Sequence, residues 1–337
     1  MGRVKRWTAV FALPVLILLY GFILGATSPA EKARVIRVPS VLNSDHPTIR
    51  SMRHMAEDLR LRSGGRLRME VYPSEQLGPD REVLEMIQFG GLGMTQVSAG
   101  VLENFSPKVS VFSLPYLFRD REHYWKVLDG PIGDEILDVS LPYRLKGLAY
   151  YDAGARSFYL SRKCGRVIRR PEDLKGLQIR AQRSRTASRM IDVLGAEPMA
   201  IPWGELFTAL DTGTVDGAEN NPPSLLSSRQ YEVSHSYSLN EHTRVPDVLV
   251  IGVDVWNRLS PEEQGWVRES ARASSRYQRK VWEESEKEAL ETIRKAGVVI
   301  EENVDREAFR RMAAPMYEDP MYRGEETRDL VRRIRSQ

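Results

Sequence analysis

Short apolar runs alternating with stretches of helical period occur twice along this 337-residue chain, and that pattern restricts it to an α/β fold. Val35 to Val41 has the composition of a strand, Asn43-Ser44-Asp45-His46-Pro47 makes a polar turn, and Ile49, Met52, Met55, Ala56 and Leu59 then recur at helical spacing. Leu67, Met69 and Val71 alternate with polar neighbours up to Pro73, a short helix holds Val83 to Ile87, and Leu92 to Val97 is a third strand. A second unit of the same kind starts after Tyr150. Its strands cover Phe158 to Leu160 and Leu177 to Ala181, and its helix runs from Ser184 to Leu194 on a stripe of Ala187, Met190, Ile191 and Leu194. A further helix around Leu206, Phe207 and Leu210 stops at Gly213, and strands follow at Val215 to Glu219 and Asp247 to Val253. The alternation predicts a largely parallel sheet covered on both faces, with ligands beyond the strand C-termini. Ser260-Pro261-Glu262-Glu263 is a capping box with proline at the first helical position, so a long helix is expected from there to about Ala296, stopped by Gly297.

The N-terminus reads as an export signal. A basic start with Arg3, Lys5 and Arg6 precedes an apolar run from Trp7 to Leu24 that only Thr8, Pro14 and Gly21 interrupt. Ser28-Pro29-Ala30 offers a small-x-small cleavage site, with Gly25 and Ala26 as competitors. The 18 apolar-run residues also approach the length of a membrane span, so an uncleaved anchor is the alternative. In either case the remainder lies outside the cytoplasm. After a leader of residues 1–30, a first domain is expected over 31–152 and a second over 153–239. The segment 240–337 is shared between them, and its helix at 261–296 bridges both. Residues 1–30 carry no acid, so the formal charge of +3 belongs to the leader and the rest is neutral, which gives no support to nucleic-acid binding.

Local chemistry singles out Arg180. In Leu174-Lys175-Gly176-Leu177-Gln178-Ile179-Arg180, Leu177 and Ile179 share one face of a strand and Gln178 and Arg180 the other, with Arg180 at the C-terminal end. Ser184 then opens a helix whose free N–H groups would favour an anion. A guanidinium can grip both oxygens of a carboxylate. On pattern alone, an exposed strand-end arginine is the commoner outcome.

Motifs for catalysis are missing: there is no His-Glu-x-x-His, Gly-x-Ser-x-Gly or phosphate-binding glycine loop, and Gly90-Gly91-Leu92-Gly93 fits a helix-to-strand turn. The five histidines (46, 54, 123, 235 and 242) lack metal-ligand spacing, and Cys164 is the only cysteine, so neither a metal, a cofactor nor a disulfide is expected. His54 and His123 fall within helices, where packing or surface roles are expected. Trp125, Trp203 and Trp256 fall at helix edges and read as core.

The segment Pro171-Glu172-Asp173-Leu174-Lys175-Gly176-Leu177-Gln178-Ile179-Arg180 resembles the signature of the solute-binding subunits of tripartite ATP-independent periplasmic (TRAP) transporters, the DctP family. Pro73-Ser74-Glu75-Gln76-Leu77-Gly78, Ser113-Leu114-Pro115-Tyr116-Leu117-Phe118-Arg119, Pro202-Trp203-Gly204-Glu205-Leu206-Phe207-Thr208-Ala209-Leu210 and Val215-Asp216-Gly217-Ala218-Glu219-Asn220 resemble further landmarks in the same order. The resemblance implies a two-domain periplasmic binding protein that closes on its ligand like a Venus flytrap, with the long helix bridging the domains. It places the ligand carboxylate on Arg180, a second anion contact on Arg156 and an orienting amide on Asn220. The family's Glu-Asn-Pro is Glu219-Asn220-Asn221-Pro222-Pro223 here, which leaves Asn220 and Asn221 both open for the amide role.

Asn220 to Ser224 and Glu241-His242-Thr243-Arg244-Val245-Pro246 resemble members that bind sugar acids, notably uronates. A C4-dicarboxylate, a keto acid, or an exported enzyme acting on a carboxylate are the alternatives. A hexuronate also presents hydroxyls, for which His46 and Glu75, both in loops after first-domain strands, and more weakly His242 are candidates. The implied partners are the organic acid and the transporter's membrane subunits, with the binding protein itself a monomer.

Overall fold

The computed structural model describes residues 33–337, so the expected leader and its cleavage site lie outside the described residues. β1 (Arg34–Pro39), α1 (Pro47–Arg62), β2 (Leu67–Tyr72), α2 (Asp80–Gln88) and β3 (Met94–Ser98) follow in the order that periodicity predicts. The turn between β1 and α1 ends in a cap, because the His46 side chain accepts from the Thr48 N–H and Pro47 occupies the first helical turn. Next come α3 (Ala99–Leu102), α4 (Arg121–Leu128), α5 (Pro131–Asp138) and β4 (Leu145–Tyr151). The chain then forms β5 (Arg156–Ser161), β6 (Gln178–Ala181), α6 (Arg185–Val193), β7 (Glu197–Ala200), α7 (Leu206–Thr212), β8 (Gly217–Asn220) and α8 (Pro222–Ser227). It finishes with β9 (Ser234–Thr243), β10 (Asp247–Gly252), α9 (Val253–Asn257), α10 (Pro261–Lys295), β11 (Val299–Glu301), α11 (Arg306–Ala313) and α12 (Glu325–Arg335).

The sheets correct the expectation of a largely parallel arrangement. One has the order β3-β10-β4, with β10 antiparallel to both neighbours. The other has the order β11-β9-β5-β8-β6-β7; β5 is antiparallel to β8 and β9, whereas β11–β9, β6–β7 and β6–β8 are parallel. The reason is the path of the chain. It crosses from the three-stranded to the six-stranded sheet between β4 and β5 and returns between β9 and β10. Two neighbouring crossings in opposite senses must set β4 against β10 and β5 against β9 antiparallel. A pair β1-β2 makes a separate two-stranded sheet.

Helix α10 holds this arrangement together. Its N-terminus carries the expected capping box: the Glu263 N–H donates to Ser260 Oγ at 3.2 Å and the Ser260 N–H to Glu263 Oε2 at 2.7 Å. Over 35 residues it packs on α1 and β4 on one side and on α8 and β11 on the other. Midway, the Gln278 amide clasps one crossing: it accepts from the Asp152 N–H and donates to the Asp152 carbonyl, both at 2.8 Å. Apolar clusters flank both sheets, with Met52, Met55, Leu249 and Ala271 in one and Tyr159, Leu210, Ala289 and Ile293 in another. Each large aliphatic side chain among them removed from water contributes roughly 1.5–3 kcal/mol.

Candidate functional site

Strand ends of both sheets meet at one cavity. Ser98 comes from the end of β3, Arg180 from β6 and Asn220 from β8, all near C-terminal ends, with Gln96 from the middle of β3, while Arg156 and Asp247 open the antiparallel strands β5 and β10. The walls enclose about 830 Å³, counting space open to solvent.

Arg180 is 3% exposed, unlike the surface arginine that pattern alone favours. Its Nε donates to the Ile201 carbonyl at 2.9 Å, but its terminal nitrogens meet no protein acceptor and no carboxylate pairs with it among the described residues. Its guanidinium carbon stands 5.9 Å from the centre of the Trp203 ring. Desolvation pushes its pKa down to about 10, which still leaves it charged at neutral pH. A buried, unpaired cation is costly unless something else supplies the anion.

Arg156, equally enclosed, is in the opposite condition. Its Nε and Nη2 meet the two carboxylate oxygens of Glu219 at 2.5 and 2.8 Å, Nη2 also reaches the Glu219 carbonyl at 2.8 Å, and Nη1 donates to Asn220 Oδ1 at 2.9 Å. Burial alone would raise the Glu219 carboxyl, yet Arg156 and His242 hold it down at about 2. Asn220 Oδ1 accepts the Asn221 N–H as well, so only its amide nitrogen is left to face the cavity. Asn221 lines the cavity too, while its Oδ1 caps α8 by accepting the Ser224 N–H at 2.8 Å.

His46 reaches the cavity from the other wall. Its Nδ1 accepts from Thr48, so Nε2 carries the proton and donates to Ser224 Oγ at 3.2 Å. Burial lowers its pKa to about 3, and the ring is neutral. This bond joins the turn after β1 to α8, and Asn43 Nδ2 adds a parallel tie to the Ser227 carbonyl at 2.7 Å.

Three expectations are corrected. Glu75 is not part of the lining; its backbone is left-handed at φ 60° and its carboxylate packs over Gly204, where a β-carbon would fall 2.1 Å from Oε2. His242 is wholly buried behind the site: it stacks on Phe158 at 4.5 Å, faces Asn240 Oδ1 at 3.1 Å and stands 3.4 Å from Glu219 Oε2, steadying the acid that holds Arg156. The start of α6 is also occupied from within. Glu103 accepts from Ser184 Oγ and the Thr186 N–H through Oε1 and from Thr186 Oγ1 through Oε2, at 2.8, 3.0 and 2.8 Å.

Sequence reasoning passed over several lining residues. Asp247 is 8% exposed, accepts from Gln96 Nε2 at 2.6 Å, and is pushed up to about 7 by burial. An acid heading the apolar run that follows was the available signal. Asp80 opens α2 and is likewise raised to about 7, chiefly by desolvation and by Asp247. Trp203, expected in the core, walls the cavity beside Arg180, and Trp282 of α10 faces it from the long helix.

An α/β molecule whose two larger sheets converge on a buried guanidinium that no carboxylate pairs with among the described residues is built as a receptor for a small anion. Residues 39–323 match the model of the DctP family, described as bacterial extracellular solute-binding protein, family 7. A TRAP periplasmic solute-binding protein from Bradyrhizobium sp., solved in complex with α/β-D-galacturonate, is 40% identical, with a TM-score of 0.87 over 90% of this chain and 100% of its own. Another from Pseudomonas putida, solved with bound D-glucuronate, is 34% identical, with a TM-score of 0.86 over 90% and 97% of the two chains. The 2,3-diketo-L-gulonate-binding periplasmic protein of Escherichia coli is 33% identical over 74% of this chain and 76% of its own. The chain belongs to the DctP family of TRAP solute-binding proteins. Such proteins carry a small acid to the membrane subunits of their transporter.

Proposed function

We propose that this chain captures a hexuronate, a monoanion with several hydroxyls, through a fork between its carboxylate and the terminal nitrogens of Arg180. The observation that carries this reading is the charge count of the cavity. Among the described residues Arg180 is its one buried guanidinium without a carboxylate partner, because Arg156 is matched by Glu219. The remaining ionisable lining groups in the interior are the carboxyls Asp80 and Asp247 and the neutral His46. Carboxyls accept hydrogen bonds from sugar hydroxyls and repel a second carboxylate. That combination favours a sugar acid over a C4-dicarboxylate, as do the uronates bound to the similar proteins.

Residues 1–30 export the chain, and the lobes around residues 31–152 and 153–239 close on the ligand about the two crossings between the sheets. Closure dries the Arg180 ion pair, which is weak in water and much stronger when enclosed. Differential affinity for the closed state drives the motion, and the role is binding without turnover.

Calorimetry and thermal unfolding with D-galacturonate, D-glucuronate, succinate and malate test this. At one hundred times the dissociation constant a uronate should stabilise the protein by about 2.7 kcal/mol, and it should be recovered unchanged. Stabilisation by succinate or malate alone would sink the sugar-acid reading, and conversion of the uronate would sink the binding role.

A further inference from the structure

A second cleft opens from the mouth of the cavity and shares Arg81, Val101 and Arg183 with it. It runs between Asn104 and the first turns of α6, past Arg185 and Arg189, and encloses about 1170 Å³ counting space open to solvent. Asn104 Nδ2 donates to the Arg183 carbonyl at 2.6 Å and joins its walls. Four arginines line it against one acid, Asp192. Three have carboxylate partners at the surface: Arg81 with Glu85 at 3.1 Å, Arg183 with Glu82 at 3.6 Å, and Arg189 with Asp192 and Asp319 at 2.5 and 2.8 Å. Arg185 is exposed and has no ion pair among the described residues.

Exposed pairs of this kind are worth little, so an arriving carboxylate can replace their acids at small cost. Arg180 and Arg183 both line the inner cavity and Arg183 lines the cleft as well, so two carboxylates on neighbouring sugar residues can address both. Glu103 already occupies the N-terminus of α6, so the guanidinium groups supply the cleft's positive charge.

We propose that this cleft is a second subsite and that the chain accepts a di-uronide, with the inner carboxylate on Arg180 and the outer one over Arg183 and Arg185. The proposal rests on the uronate reading of the inner cavity. The inner sugar meets Arg180 and the carboxyls, and the glycosidic oxygen leaves past Gln182 and Arg183 into the open cleft.

The test is calorimetry of the wild type and Arg185→Glu with D-galacturonate and with its disaccharide, each at low and at physiological salt. Arg185 lies outside the inner cavity, so the variant should keep the wild-type affinity for the monosaccharide and bind the disaccharide about fivefold or more weakly. Wild-type affinity for the disaccharide should also fall more steeply with salt than that for the monosaccharide. Binding of the monosaccharide without the disaccharide overturns the proposal. So does an Arg185→Glu variant that leaves disaccharide affinity unchanged or weakens both ligands equally. Failure of both sugars to bind the wild type instead overturns the uronate reading.

Discussion

Arg156 and Glu219 lie on the neighbouring strands β5 and β8, and the acid closes on the guanidinium through both carboxylate oxygens at 2.5 and 2.8 Å. Of the two arginines buried at the cavity, one is thereby neutralised by the protein and the other is left for the ligand. The distinction sets the charge of what can bind, and it can be moved by a single substitution.

Glu219→Ala strands Arg156 in a dry site. Removing one partner of a buried pair costs about 3–5 kcal/mol, which denaturant unfolding should read directly. The same change frees a second guanidinium, so the variant should gain affinity for a dicarboxylate such as succinate relative to a uronate. An unaltered ratio of the two affinities would mean that Arg156 does not govern ligand charge.

Arg180 should behave in the opposite way toward stability. No carboxylate pairs with it among the described residues, so Arg180→Met should leave unfolding free energy unchanged or raise it by up to about 4 kcal/mol, while the affinity for the acid falls by about 2–5 kcal/mol. Arg180→Lys keeps the charge but loses the planar fork and should fall between the two in affinity. Thermal unfolding without ligand and calorimetry with it separate these effects; loss of stability without loss of affinity would remove Arg180 from the ligand.

Crossing geometry makes Gly154 hard to replace. It has φ 61°, and a β-carbon there would stand 2.8 Å from Glu286 Oε1 and 3.0 Å from Trp282 Nε1, both on α10. Gly154→Ala should cost about 1–3 kcal/mol in unfolding experiments. Because the residue lies on the crossing between β4 and β5, uronate affinity should fall as well.

Regular apolar spacing made α1 and α6 legible from the sequence, and the Ser260 capping box together with Gly297 marked the two ends of α10. β9 was invisible because Ser234, Ser236, Ser238, Asn240 and His242 are polar yet buried, their burial permitted by bonds such as Ser236 Oγ to the Arg166 carbonyl at 2.7 Å. Without β9 the return crossing could not be inferred, and strand direction was misjudged with it. Arg180 was legible through its place at a strand end and through the family resemblance. Asp247, Asp80 and Trp282 were not, because each becomes a cavity residue only when distant segments converge. His242 shows the reverse error, a residue in a suggestive motif that is buried behind the site against Phe158.

Asp247 gives the site a pH signature. Burial raises its carboxyl to about 7, well above the 3.9 of an unfolded aspartate. Between these values the folded state holds a proton that the unfolded chain has released, so the stability contributed by protonated Asp247 is complete below about pH 4 and is lost as pH rises toward 7. Gln96 and Arg156 oppose the shift without cancelling it. His46 moves the other way: its folded pKa of about 3 makes stability decline as pH falls below 6.5, so the pH profile of the wild type alone does not isolate Asp247. The difference between wild type and Asp247→Asn does. It should favour the wild type most near pH 4 and shrink steadily toward pH 8 in thermal unfolding without ligand. A difference that is flat with pH would show that Asp247 titrates as it does in the unfolded chain and that the cavity is wetter than its geometry indicates.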